Sequence, residues 1–336
     1  MTDGFEGIDL ALIVESIARC QLGSGMIPWA KGSHADAWNH TEAVMALSIG
    51  SRLDEARRGV DWVAGSIGRD GTICQFYSGS GVREPRIDLN CCLYTNVGLL
   101  AFLVASRDVG YVAEVLPRFD LTTNFVLGYQ RSDGSFPWAI DPDLTPKSSS
   151  LKAASSAMLI SLEAAMVLDE LVGRNRPELK EAHEALAGFL GDPGSEFLDK
   201  SEWAMDGYYP VLAGVFDQPG YASALRSFMA RFYIEGEGIQ AVASSNWITV
   251  AETSEVAMAE IRLGNLEAAS RLLRDLGPLA RPDGGFLTGW VLPERRSFPA
   301  GEVSSYSAAA YVIARFLLSQ ERPVGLIEGL LALENS

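Results

Sequence analysis

The chain is poor in positive charge, in cysteine and in histidine. Its 336 residues carry 27 Lys and Arg against 43 Asp and Glu, a formal net charge of -16. Binding a phosphate backbone needs a basic stripe, and none is visible, so no nucleic-acid partner is expected. The acidity reads as a solubility device. Cys20, Cys74, Cys91 and Cys92 form neither a CxxC pair nor a dense framework. They read as reduced, mostly buried thiols of a cytoplasmic protein. A P-loop, a GxGxxG after a strand and a GxSxG elbow are all missing. Gly79-Ser80-Gly81 lies in a loop with no strand before it. No apolar run reaches membrane-spanning length, and Met1–Glu6 lacks the basic start and apolar core of a leader. Alternating β patterns are scarce, and the β-branched stretch Trp247–Val250 leads straight into a helical pattern.

What remains is largely helical. Hydrophobic residues make up 48% of the chain, enough for a substantial core. Leu10, Ile13, Val14 and Ile17 form one stripe, and Val44, Leu47 and Ile49 continue another helix up to a stop at Gly50. Leu99, Leu100, Phe102 and Leu103 are apolar on more than one side, as in a helix of an inner layer. Met158, Leu159, Leu162, Ala165 and Met166 mark a further one, and spacing predicts others around 178–190, 220–232, 251–262, 266–276 and 303–319.

Six small segments built on Gly and an apolar residue punctuate these helices, at Gly25, Gly71, Gly134, Gly207, Gly238 and Gly284. Gly25 and Gly284 stand 259 positions apart, about 52 residues per interval, within the range of helical-hairpin repeats. The interval from Gly134 to Gly207 is 73 residues and the next only 31, so the fourth and fifth repeats are irregular. The pattern predicts one all-α domain over residues 1–336, an (α/α)6 toroid of six hairpins with a pocket at its centre. An open solenoid is the alternative. Gln21, Gln130, Trp29 and Trp138 flank two of the turns and read as structural, the Gln bonding free carbonyls and the Trp covering them.

Gln130–Trp138 resembles the glutamine–tryptophan repeat of terpenoid cyclases (the squalene cyclase repeat) and protein prenyltransferase β subunits. Gln21–Trp29 and Arg281–Phe286 are looser copies. Asp36–Ala43, Trp203–Pro210 and Trp247–Thr253 also resemble stretches of bacterial proteins loosely labelled prenyltransferase-like. The resemblance implies an α/α toroid whose inner helices line a cavity. The chain departs from these families in lacking the Asp-x-Asp-Asp motif of class II cyclases. It also lacks the zinc pattern of protein prenyltransferases. A zinc site could be assembled only by forcing Asp88, Cys91 or Cys92 together with His34 or His40. No cofactor is called for, and magnesium and zinc are left open. Lys31, Arg83, Arg86, Lys152 and Lys200 are the few cations available to a diphosphate.

The candidate site residues cluster at the starts of inner helices. Asp36, Asn39 and His40 share one face by i, i+3 and i+4 spacing, which makes Asp36 and His40 a candidate acid–base couple. The plainer reading has Asp36 capping the helix and His40 in a buried hydrogen bond. Trp38 and Glu42 are four apart on another face. Glu252 and Glu255 form a second pair, in which one carboxyl would be pushed to hold its proton, although Thr249-x-x-Glu252 also fits a capping box. With Asp36, His40 and Glu252 taken as catalytic, the remaining candidates are substrate-binding: Trp38, Asn39, Glu42, Asp88, Asn90, Trp203, Asp206, Tyr208, Tyr209, Trp247, Glu255, Trp290 and Glu302. Three functions compete. The first is acid–base chemistry on an isoprenoid or other lipophilic small molecule held in the cavity. The second is a carbohydrate-active enzyme, a glycoside hydrolase or epimerase-like protein with paired carboxylates. The third is a ligand-binding ring without catalysis. Nothing in the sequence sets the oligomeric state.

Overall fold

The computed structural model describes residues 8–215 and 218–335. Met1–Glu6, on which the leader was judged, lies outside them. The helices run in the order α1 (Leu10–Cys20), α2 (Ala37–Ile49), α3 (Leu53–Ser66), α4 (Leu89–Ser106), α5 (Val109–Leu127), α6 (Lys152–Leu171) and α7 (Pro177–Gly191). They continue with α8 (Met205–Ala213), α9 (Gln218–Phe232), α10 (Val250–Arg262), α11 (Leu266–Asp275), α12 (Ser305–Ser319) and α13 (Leu326–Leu331). The even-numbered helices from α2 to α12 form an inner ring in which each packs on the next and α12 returns to α2. The odd-numbered helices from α1 to α11 pack outside it. This is the (α/α)6 toroid that the repeat predicts.

The two layers differ in sequence for a physical reason. An inner helix touches neighbours on every side, so α2 and α4 are buried almost all round. An outer helix buries one stripe, such as Ala269, Leu272 and Leu273 on α11. By length and composition α4 is apolar enough to cross a membrane, contrary to the expectation that no run is long enough, but 83% of it is buried inside the ring.

The Gly segments explain how the hairpins interlock. Gly25, Gly71, Gly134 and Gly284 share a φ of 85–91°, a left-handed conformation that suits glycine. At each, a Cβ would lie 2.1–2.2 Å from a carbonyl oxygen of an outer helix, on Arg58, Leu121, Ala185 and Leu12 in turn. Each turn therefore presses directly on the backbone of the next outer helix, and the last presses on α1 to close the ring. Gln21 Nε2 donates to the carbonyls of Gly25 at 3.1 Å and Glu55 at 2.9 Å. Gln130 repeats this on Gly134 and Ala182. Gly207 and Gly238 are not such joints, because Gly207 lies within α8 and Gly238 within a strand. Gly134→Ala should destabilise the fold by about 2–4 kcal/mol through strain and overlap together. Urea denaturation measures this, and an unchanged midpoint would refute the joint.

Short strands occupy the connections: β1 (Phe76–Ser78), β2 (Gly81–Glu84), β3 (Ile87–Asp88), β4 (Ala139–Ile140), β5 (Tyr233–Ile234), β6 (Gly238–Gln240), β7 (Trp247–Thr249), β8 (Gly289–Val291) and β9 (Arg296–Ser297). β5 to β9 form one antiparallel sheet in chain order, so the stretch at Trp247 is a central strand and not only a helix lead-in. Strands β3 and β7 run directly into the N-termini of α4 and α10. The sheets thus stand over the rim where inner helices begin.

The centre of the ring is filled. Leu326 of α13 reaches the space between the inner helices and lines it together with Glu42, Met45, Tyr94, Tyr209, Glu255 and Met258. The cavity left there measures about 10 Å³, scarcely room for one water. At the ring centre, among the described residues, there is no room for the deep lipophilic pocket expected for an isoprenoid.

Candidate active site

Asp36 is the N-cap of α2, with an extended backbone (φ -121°). Its Oδ1 accepts the Asn39 backbone N–H at 2.8 Å. Its Oδ2 accepts Asn39 Nδ2 at 2.7 Å and the Trp29 indole N–H. Trp29, read from sequence as a cover for the joint, gives its indole N–H to this carboxylate. Around Trp29 stand His34 at 4.3 Å, Tyr306 at 5.4 Å and Phe76 at 6.0 Å between ring centroids. Phe76 and Tyr306 are not singled out by sequence, and His34 is named there only as a possible zinc ligand, because the three lie on separate segments. Burial lowers the His34 imidazole.

His40 is not part of this group. It is fully buried, its Nδ1 accepts the Ile27 N–H at 3.0 Å, and its Nε2 lies 3.0 Å from the Gly59 carbonyl. Both nitrogens are occupied, with Nε2 the protonated one, and none is left for Asp36. The spacing misleads because Asp36 is an extended cap rather than a helical residue, so its side chain folds over the helix end. Burial pushes the His40 imidazole down to about 4. His40→Ala leaves a buried donor and acceptor unpaired, and should cost about 3 kcal/mol in chemical denaturation. A cost near zero would contradict the bridge.

Glu252 opens α10, half-buried. The Thr249 hydroxyl donates to its Oε2, and the Thr249 side chain makes no cap bond to a backbone N–H. The capping-box alternative therefore fails, since the hydroxyl serves the carboxyl instead. Burial raises the Glu252 carboxyl above its ordinary range, against the lowering effect of the Thr249 bond. Tyr306 feels the charges of both Glu252 and Glu302, and His34 those of both Asp36 and Glu302. Asp36, His34, Glu302, Tyr306 and Glu252 therefore share one stretch of rim.

Below Glu252 lies Glu255, which accepts the Tyr209 hydroxyl at 2.5 Å and the Tyr208 hydroxyl. Across the small central cavity is Glu42, bonded at 3.0 Å by the Trp38 indole. Trp38 stacks on Tyr94 at 4.2 Å. Burial is the main reason that Glu255 rises to about 8, with the Glu252 charge adding to it. Glu42 is raised well above its usual range by burial and by Glu255.

The other candidates are dispersed. Asp88 caps α4, accepting from the N–H of Asn90 at 3.0 Å and Cys91 at 3.2 Å. Burial and then the Asp36 charge raise Asp88 to about 6. Asp206 accepts the Ala153 N–H at 3.3 Å and so supports the neighbouring helix α6. Glu302 accepts the Thr288 hydroxyl at 2.8 Å. Trp290 is buried, with Arg295 over its ring, whereas Trp203 is largely exposed. A cleft of about 1000 Å³ lies elsewhere, between α7 and the segments around Arg131 and Phe197.

No protein-family model matches the chain. A protein of Mycolicibacterium hassiacum named MMP endo-(1,4)-3-O-methyl-alpha-D-mannosidase is 28% identical over 309 residues, 92% of this chain and 86% of its own. Among solved structures, a wild-type glycosidase superposes with a TM-score of 0.73 at 14% identity, covering 96% of both chains. A D-mannose isomerase gives 0.69 at 9% identity, covering 93% of this chain and 97% of its own. At these identities the solved structures establish the ring fold. The resemblance to terpenoid cyclases, prenyltransferases and the squalene cyclase repeat is overturned, because the similar proteins include a mannosidase, glycosidases and a mannose isomerase. The Gln–Gly joint describes how a hairpin ring packs, whatever chemistry the rim performs.

Proposed function

We propose that this protein is an endo-acting glycoside hydrolase that cuts α-(1,4)-linked, 3-O-methylated mannose chains. Glu252 is the general acid and Asp36 the general base. The observation that carries the reading is the contrast between these two carboxyls on one rim. Glu252 is half-buried and raised, suited to keep a proton. Asp36 only accepts, from three N–H donors. The similarity to the M. hassiacum enzyme supports the linkage and the methylated substrate. The filled ring centre weighs against an isoprenoid.

The chemistry follows from the lone pairs. A carboxylate offers about four acceptor sites, and three on Asp36 are taken, leaving one for a water. Glu252 gives its proton to the glycosidic oxygen as the bond to the anomeric carbon breaks. Water attacks that carbon from the other face, and Asp36 takes the water's proton. The new reducing end is formed with inversion. A nucleophilic Asp36 would give retention instead, which the anomer formed distinguishes. His40, in this reading, fastens α2 to α3 and takes no part.

The test is incubation with 3-O-methylated and unmethylated α-(1,4)-mannan oligosaccharides, followed by mass spectrometry and proton NMR. Mid-chain cleavage of the methylated series with initial β-anomer is expected. Binding without cleavage would indicate a non-catalytic ring, and conversion of free mannose to a ketose would indicate an isomerase.

A further inference from the structure

Trp247 and Thr249 are two residues apart on β7, so their side chains leave the same face of the strand, about 7 Å apart. Thr249 holds Glu252. The Trp247 indole is fixed rather than loose. It lies beside Gly289 of β8, where a Cβ would come within 3.0 Å of its Nε1. Its Nε1 donates to the Phe298 carbonyl at 3.2 Å, and the Phe298 ring stands edge-on at 5.4 Å. Yet Trp247 stays half-exposed and Phe298 is 51% exposed. On the other side, Trp203 bridges to Val242 beside the turn that leads into β7 and is 47% exposed. Large aromatic side chains left in water on fixed backbone form a preorganised contact surface.

We propose that Trp247, Phe298 and Trp203 form a ridge that binds sugar units of the glycan remote from the cleaved bond. It takes the apolar ring faces and O-methyl groups of a neutral chain. The proposal rests on the hydrolase reading for the direction in which the chain leaves Glu252. A ridge rather than an enclosed pocket suits a chain that passes through and is cut internally.

The experiment compares the full-length protein with Trp203→Ala/Phe298→Ala. Affinity for long and short 3-O-methylated oligosaccharides is measured by calorimetry in a Glu252→Gln background, and KM and kcat are measured in the active protein. Losing two aromatic contacts should weaken long-chain binding roughly tenfold. KM should rise in parallel, with less effect on short chains and little on kcat. Leu171→Ala, at the far end of α6, should leave long-chain affinity as it was. Equal losses on long and short chains, or no loss, would overturn the ridge. Absence of any cleavage by the wild type would overturn the hydrolase reading instead. Length-dependent binding without cleavage would leave the ridge standing.

Discussion

Glu252→Gln should lower kcat on the methylated mannan about 10³-fold, within the 10²–10⁴ range for loss of a general acid. Asp36→Asn should lower it by a similar factor. The two variants should part company on a substrate with a good leaving group. An aryl mannoside needs little proton donation, so Glu252→Gln regains much of its rate there. Asp36→Asn regains nothing, because water must still lose its proton. The folds should survive both changes. Asn still caps the helix, although its amide cannot accept from both Trp29 and the Asn39 side chain, a cost of about 1–3 kcal/mol, and Gln can still accept from the Thr249 hydroxyl. Melting temperature serves as the control. Rescue of Asp36→Asn but not Glu252→Gln would exchange the two roles. Unaffected turnover in both would remove these carboxyls from catalysis.

The sequence conveys the scaffold better than the chemistry, for physical reasons. Helical spacing survives in any window, so the stretches around 178–190 and 266–276 emerge as α7 and α11 nearly to the residue. The joints at Gly25, Gly71, Gly134 and Gly284 are readable because each demands a residue without Cβ. The irregular fourth and fifth repeats are also visible, and their glycines do serve other purposes. The site is less legible because its partners come from distant segments. Tyr306 reaches Trp29 and comes within the field of Glu252 only after the ring closes. Spacing joins Trp38 to Glu42 correctly, since both are helical. The same rule fails for Asp36 and His40, where one residue is a cap. Thr249 and Glu252 show the opposite ambiguity, as one four-residue pattern fits both a capping box and a carboxyl held by a hydroxyl.

Glu255→Gln should flatten the fall of stability with rising pH. In the folded protein Glu255 is raised to about 8 from an ordinary value of 4.5, chiefly by burial. The folded state therefore binds the extra proton, and stability must fall as pH rises between these values. Full stability is present below about 4.5, and the loss is complete once pH passes about 8. Glu42 faces the same cavity and is raised in the same direction, so the wild-type decline should continue beyond the range of Glu255 alone. Asp36 and Glu252 act on this pair from the rim, and Tyr94, Tyr208 and Tyr209 surround it. Gln at position 255 cannot ionise, but it accepts from only one of the two tyrosine hydroxyls well, at a cost of about 1 kcal/mol. The two proteins should therefore cross: the wild type is the more stable at pH 5, and the variant at pH 8.5. Urea denaturation at both values measures the difference. Parallel curves would mean that Glu255 titrates normally and that the buried pair carries no shared electrostatic strain.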